Sequence, residues 1–276
     1  MIRFRWASLV FAAALSVSGA AFASDVATAP ADVDVAPAED GALARLLAEL
    51  RTRATPAQYA AVADAIHASP ALAAQLGELV RDGLLTRITV DTGEAALGRT
   101  GGALRNGSVW VLTPSFVANQ APRRFHDVVH GDDILPNNMA FALGYMAWRA
   151  SHDAELSREA QALRASSDTV DAKKQRWIDV NTRIDAGGFI QGWNDAVEAA
   201  ASQNGGVPIT VKQSVDMMMN LRYRGPLIKA IAAKPPERTL RVTGPALLLD
   251  ASNIDALAAA LKTSSVIDIE PMNAAR

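Results

Sequence analysis

Residues 138–149 read Asn-Met-Ala-Phe-Ala-Leu-Gly-Tyr-Met-Ala-Trp-Arg, and their apolar side chains fall on nearly every side of a helix. A helix without a polar face is normally buried at the centre of a domain, and Asn138 stands where a helix cap belongs. A second long helix is predicted from near Val170 to Ser202, because Asn204-Gly205-Gly206 follows as a C-terminal cap. These two helices are expected to form the centre of the fold.

A helical segment is predicted at residues 40–85, before the central helix. Leucines recur three and four residues apart between Leu43 and Leu50, which places them on one helix face. Thr55-Pro56-Ala57-Gln58 combines a capping box with a proline at the first helical position, and Ser69-Pro70 repeats the cap and the proline. Three short helices are therefore expected here.

The apolar period changes after this segment. Alternation from Arg87 to Val90 predicts a strand. Asn106-Gly107 predicts a tight hairpin turn that leads into an apolar strand at residues 108–112. The expected fold class is α+β, mainly α-helical, with a small antiparallel sheet packed on long buried helices. Residues 86–205 would hold this core.

The C-terminal region, residues 206–276, is predicted to be helical with short strands. Residues 210–213 read Thr-Val-Lys-Gln, a capping box that begins a helix, and Pro226 interrupts that helix. An extended segment around residues 240–249 precedes a further helix at about residues 252–262. We find no internal repeat in this region or elsewhere.

An export signal is predicted at residues 1–23. Arg3 and Arg5 precede a short apolar stretch, and small residues follow it as they do at a signal-peptidase cleavage site. Cleavage is expected after Ala23. Residues 24–39 are poor in large apolar side chains, which predicts a disordered leader. The mature protein is expected in the periplasm or outside the cell. No membrane span is expected in it, because no later apolar stretch approaches the length that crosses a bilayer.

Composition excludes several classes of function. The chain has 27 basic and 29 acidic residues and a net charge of −2, so it presents no net positive field that would attract nucleic acid. It has no cysteine, which excludes a disulfide framework, a thiolate zinc site and a cysteine nucleophile.

Two of the four histidines could form part of a metal site. His126 and His130 have the H-x-x-x-H spacing, which on a helix lets both imidazoles reach one zinc ion. Asp127 or Asp132 would then be the general base for hydrolysis of a peptide or amide by a metal-bound water. A third ligand would have to come from Asp132, Asp133, His152 or Asp185.

The order of elements resembles that of the zincin metallopeptidases. In that family a small sheet leads to an active helix, whose H-E-x-x-H motif follows an apolar run such as Phe-Ala-Leu-Gly. A later helix supplies the third zinc ligand. The resemblance spans roughly residues 86–200, and residues 141–144 read Phe-Ala-Leu-Gly here.

At the position of the motif, residues 145–149 read Tyr-Met-Ala-Trp-Arg, without either histidine or the glutamate base. The resemblance therefore implies a degenerate zincin-like core. In such a core Arg149 would supply the positive charge of the lost metal. Asp185 would form an ion pair with it, because a buried carboxylate needs a cation. We expect Arg149 and Asp185 to be in contact. The binding cleft is expected to be lined by Tyr145, Trp148, Arg149 and Asp185.

Glycines at positions 187, 188 and 192 interrupt the later helix. Each lowers helix stability by about 1 kcal/mol relative to alanine, so their presence predicts close packing against the helix of Tyr145. The polar residues of this stretch are expected to cap buried backbone or to line the cleft: Asn181, Gln191, Asn194 and Asp195.

Three functions are compatible with the sequence. The leading hypothesis is an exported, non-catalytic protein that acts by binding or by interaction with a protein or peptide partner, without a cofactor. The first alternative is an active zinc-dependent peptidase or amidase that uses His126 and His130. The second alternative is a structural or accessory protein of the cell envelope.

Overall fold

The computed structural model describes residues 41–91, 103–118, 138–210, 213–214 and 240–263. These residues belong to one compact unit, Glu39–Arg276. Several predicted features lie outside the described residues: the export signal, the leader, the side chain of Asn138, the interruption at Pro226, the candidate zinc ligands His126 and His130, and the candidate bases Asp127 and Asp132.

Three helices open the described chain: α1 (Gly41–Arg53), α2 (Pro56–His67) and α3 (Pro70–Arg81). The predicted capping box is confirmed, since the Gln58 amide donates to Thr55 Oγ1 and the Thr55 amide donates to Gln58 Oε1. Ser69 caps α3 by accepting a hydrogen bond from the Leu72 amide. Apolar side chains of all three helices are buried in one cluster with the sheet that follows.

The sheet has three strands: β1 (Arg87–Val90), β2 (Ala103–Asn106) and β3 (Val109–Leu112). The predicted hairpin is confirmed, because β2 and β3 pair antiparallel around Gly107, whose φ is 60°. The expectation of an antiparallel sheet is wrong for β1, which pairs parallel with β3 and sets Arg87 opposite Val109. The last three residues of β3, 110–112, are buried, so this strand takes the central position in the order β1-β3-β2.

Two helices carry the centre of the fold: α5 (Asn138–Ser151) and α7 (Val170–Gln203), with the short α4 (Pro114–Ala118) before them. The contact between α5 and α7 is the most extensive between any two described elements. A methyl group on Gly192 would meet the Phe141 carbonyl oxygen, and one on Gly188 would lie 2.8 Å from the Tyr145 ring. The predicted close packing of the glycines against the Tyr145 helix is confirmed.

A further helix, α6 (Asp153–Ala165), connects α5 to α7 and has no counterpart among the sequence-based expectations. Its one fully buried side chain is Leu163, so it lacks the apolar period by which helices are recognised. Asp153 and Glu155 lie in its first turn, where negative charge favours a helix. The helix is tied to α7 by an ion pair of 2.5 Å between Glu159 and Arg176.

The C-terminal part consists of β4 (Val242–Thr243), β5 (Ala246–Leu247) and α8 (Ala251–Thr263). The two strands pair antiparallel, and α8 packs on α7 in a second apolar cluster. The predicted capping box at Thr210 is confirmed by reciprocal hydrogen bonds with Gln213. The described chain is thus mainly helical with small sheets. None of its helices is long and apolar enough to cross a membrane.

Candidate functional site

The predicted contact between Arg149 and Asp185 is confirmed. Arg149 Nη1 lies 2.5 Å from Asp185 Oδ1, and the two side chains are 23% and 26% exposed. Tyr145 donates its hydroxyl proton to the same carboxylate oxygen at 2.8 Å, and Arg149 also donates to Asn181 Oδ1 at 2.9 Å. The cluster therefore joins α5 to α7 through charges and hydrogen bonds that satisfy one another.

Trp148, the fourth residue of the predicted cleft, has a different environment. Its ring stacks on His152, with 4.2 Å between the ring centroids. Gly187 provides the space for the indole, because a methyl group at that position would lie within about 2.5 Å of Trp148 Nε1. Trp148 thus packs beside the Arg149 cluster and fills a gap between α5 and α7.

A pocket of about 380 Å³ lies on another part of α7. Its volume is within the range of small-molecule sites. The wall is formed by residues from the start of α3, the C-terminal half of α7, the segment that follows α7, and the turn from β4 into β5: Ala71, Gln191, Asn194, Asp195, Val197, Glu198, Ala201, Pro208, Ile209, Pro245 and Ala246. Apolar side chains, including two prolines, form most of this wall, and Asp195 and Glu198 are the ionisable residues among its described members.

Asp195 is the more deeply buried of the two, with 1% of its surface exposed. Its Oδ1 accepts a hydrogen bond of 2.9 Å from Gln191 Nε2. Its Oδ2 is buried and accepts no hydrogen bond from the described residues. That oxygen faces Gly144 of α5, where even a methyl group would not fit. Gly144 therefore provides the space into which the carboxyl group projects.

Burial raises the pKa of Asp195 to about 7, and the charge of Glu198 adds to the increase, while the hydrogen bond from Gln191 opposes it. The Ser69 hydroxyl also acts on Asp195 and lowers its pKa. A hydroxyl group has a single proton, however, and Ser69 donates it to Glu198 Oε2 at 2.5 Å. Asp195 is consequently a carboxyl group that changes charge near neutral pH.

Glu198 connects the pocket to the beginning of α3. Its Oε2 accepts hydrogen bonds from the Ser69 hydroxyl and, at 3.0 Å, from the Ala71 amide. The carboxylate thus adds a second cap, supplied by α7, to the one that Ser69 provides within its own helix. A negative charge is favourable at this position because the N-terminus of a helix carries a partial positive charge.

Asn194 confirms the expectation that a polar residue of α7 caps buried backbone. Its side-chain amide donates to the Leu247 carbonyl oxygen at 2.9 Å and accepts from the Leu247 amide at 2.8 Å. Asn194 also lines the pocket, together with Gln191 and Asp195. Sequence reasoning missed Glu198, because the only sign of its role was its position three residues after Asp195 on the same helix.

Within the described ranges, no three histidine or acidic side chains are arranged to hold a metal ion. His67 and His152 are the histidines that these ranges contain. No protein-family model matches this chain, and comparison with curated proteins and with solved structures also finds no match.

Proposed function

We propose that this chain is an exported, non-catalytic binding protein whose α7 pocket holds a small apolar molecule that carries a basic amine. The observation that supports it is the combination of Asp195 and Glu198 with a wall of small apolar side chains. An alkyl group would displace water from the apolar part of this wall. An ammonium group would neutralise the acidic part, where the described lining residues include no lysine, arginine or histidine.

Charge balance favours an amine over a neutral or anionic ligand. The start of α3 offsets part of the Glu198 charge through the Ala71 amide. Asp195 has no such partner on its Oδ2 among the described residues. A cation within a few ångströms would favour the ionised form of Asp195, whereas an anion would add to the repulsion. Binding of an amine is therefore expected to release a proton from this carboxyl group near neutral pH.

The zincin resemblance remains part of the proposal as an explanation of the α5–α7 pair. In that account the two helices retain the zincin-like arrangement, and the Arg149–Asp185 ion pair replaces the metal ion that would otherwise hold them together. The guanidinium lies 2.5 Å from the carboxylate that would otherwise be the third ligand, so it repels a metal ion from that position. Zinc analysis of the purified mature chain tests this account, and one zinc per chain that disappears in a His126→Ala/His130→Ala variant would favour the peptidase alternative.

Three probes of equal chain length and different charge test the pocket: n-butylamine, n-butanol and butyrate. Isothermal titration at pH 8 should show that the amine binds about tenfold more tightly than the alcohol, since a hydrogen bond to a charged group contributes about 1.5 kcal/mol or more. Butyrate should bind most weakly. Chemical-shift changes should centre on the residues of the pocket wall.

Two variants locate the acidic end of the pocket. Glu198→Gln keeps an acceptor for the Ala71 amide but removes the charge, and it should reduce the preference for the amine over the alcohol. Glu155→Gln is the matched control, because Glu155 is exposed on α6. Equal affinity for the three probes would refute the choice of an amine, and binding of none of them would refute the pocket itself.

A further inference from the structure

We propose that Asp195 is a proton-controlled latch for this pocket: loss of its proton separates the beginning of α3 from α7 and opens the wall at Ala71. The proposal rests on the pocket described above, whose regulation it specifies. It concerns the ligand-free protein, so it can be tested without a ligand.

The latch is a junction of three helices. The Asp195 carboxyl group projects from α7 toward Gly144 of α5, which leaves space for its Oδ2 but offers no donor. Glu198, one turn further along α7, holds Ser69 and Ala71 at the beginning of α3. The two carboxyl groups therefore act on the same helix end, one by direct hydrogen bonds and the other by its charge.

The groups that face Asp195 offer little compensation for a negative charge. Gln191 donates one hydrogen bond from α7, Ser69 faces it from α3, and Gly144 faces it from α5 without a side chain. Glu198 is the charged group that acts on it among the described residues, and its charge has the same sign. A neutral Asp195 fits this environment, whereas an ionised one repels Glu198 and has no donor for its Oδ2 among the described residues.

The repulsion between the two carboxylates is relieved at the lowest energetic cost when Glu198 separates from the beginning of α3. Its bonds to Ser69 and Ala71 are made by exposed or capping groups, whereas the α5–α7 contact is held by closely packed backbone at Gly192. Ala71 forms part of the pocket wall. Movement of this helix end would therefore widen the pocket, and the ionised Asp195 would at the same time attract a cation into it.

Amide hydrogen exchange followed by NMR tests the latch in the full mature chain. The Ala71 amide should lose protection about fivefold or more between about pH 5.5 and pH 8.5, after correction for the intrinsic exchange rate. The Asp195→Asn variant, which mimics the protonated carboxyl group, should keep the same protection at both pH values. An Asp64→Asn variant, altered at an exposed position on α2, should behave as the wild type.

A Glu198→Ala variant provides a second measurement. Without the Glu198 side chain, the Ala71 amide should exchange rapidly at both pH values. The latch is refuted if protection of Ala71 in the wild type is independent of pH, or if it falls equally in Asp195→Asn. A further arm measures n-butylamine binding at both pH values. A latch without amine binding refutes only the proposed ligand, and amine binding without a pH-dependent latch refutes only this inference.

Discussion

Asp195 is a carboxyl group that the fold buries almost completely. Only 1% of it is exposed, and the one charge that acts on it among the described residues is negative. Burial of an ionised carboxylate without a cation is unfavourable, so the folded chain holds the proton to a higher pH than the unfolded chain does. This difference links the stability of the fold to pH.

The sign of this linkage follows from the two pKa values of Asp195. The folded value of about 7 lies above the ordinary value of 3.8, so this residue's contribution to stability is fully present below about pH 3.8 and is lost as the pH rises through 7. The difference corresponds to at most about 4 kcal/mol. Asp195→Asn should not lose this stability as the pH rises, and it should therefore be more stable than the wild type at pH 8.

Chemical denaturation at several pH values measures this effect. The difference in unfolding free energy between Asp195→Asn and the wild type should increase from about pH 4 to about pH 7 and then level off. Asp64→Asn is the control, since Asp64 is exposed on α2. Parallel pH profiles of the wild type and Asp195→Asn would contradict the raised pKa.

The Arg149–Asp185 pair predicts a measurable coupling between two residues. Arg149→Met and Asp185→Asn should each destabilise the fold by about 1–3 kcal/mol, because each leaves a partly buried polar group without its partner. The double variant should lose less than the sum of the two. Since both side chains are about one quarter exposed, the coupling should be near 1 kcal/mol.

The exposed ion pair of Arg183 and Asp255 is the control for that cycle. Its side chains are 49% and 54% exposed, so a double-mutant cycle there should give a coupling well below about 1 kcal/mol. Equal coupling energies in the two cycles would show that partial burial does not strengthen the Arg149 pair.

At the scale of elements, the α5–α7 contact depends on backbone that approaches without side chains. Gly192 lies against the Phe141 carbonyl group, and Gly144 lies against Asp195. These approaches place the two helices close enough for the side chains of Tyr145 and Arg149 to reach Asp185. The helix pair thus supplies the geometry of both the ion-pair cluster and the Asp195 junction.

Gly192→Ala should therefore destabilise the protein by about 1–3 kcal/mol, as overpacking does in a closely packed core. Its methyl group would meet backbone atoms of Phe141 and Tyr145, which cannot rotate away. Gly41→Ala is the control, because a methyl group there meets nothing within 4 Å and alanine favours a helix. The two variants are compared by thermal or chemical denaturation, and equal stabilities would contradict the close approach.

At the scale of the whole described molecule, α7 joins two apolar clusters. One contains the N-terminal helices, the sheet and most of α5, and the other contains α8 and the C-terminal half of α7. Polar contacts fix the C-terminal part on α7: Trp193 Nε1 donates to the Pro245 carbonyl group at 3.0 Å, and Asn194 pairs with the backbone of Leu247. The pocket lies beside this contact between α7 and the C-terminal part, so its shape depends on the contact.

Asn253 of α8 holds the C-terminal part together at the same contact. Its buried amide group donates to the Arg241 and Leu248 carbonyl groups and accepts from the Arg241 amide. Asn253→Ala should destabilise the fold by about 3 kcal/mol, because it leaves buried backbone groups unpaired, and it should weaken probe binding in the pocket. Gln161→Ala, at an exposed position on α6, should change neither the denaturation midpoint nor probe binding; a similar loss in both variants would contradict this role.

The sequence by itself determined the local elements of this protein. The capping boxes at Thr55 and Thr210, the hairpin at Asn106-Gly107 and the long helix from Val170 depend on residues a few positions apart. Short-range hydrogen bonds and side-chain periodicity decide such features, so they can be read along the chain. The Arg149–Asp185 contact was also predictable, because charge neutralisation restricts the partners of a buried carboxylate.

The tertiary structure alone decided the arrangements that join distant residues. The parallel pairing of β1 with β3 depends on which edge of the hairpin β1 joins and in which direction it runs, and local pattern specifies neither. The bond between Ser69 and Glu198 spans 129 positions. The pKa of Asp195 is raised because α5 excludes water from a carboxyl group on α7. Desolvation depends on all neighbours at once, and those neighbours are assembled only by folding.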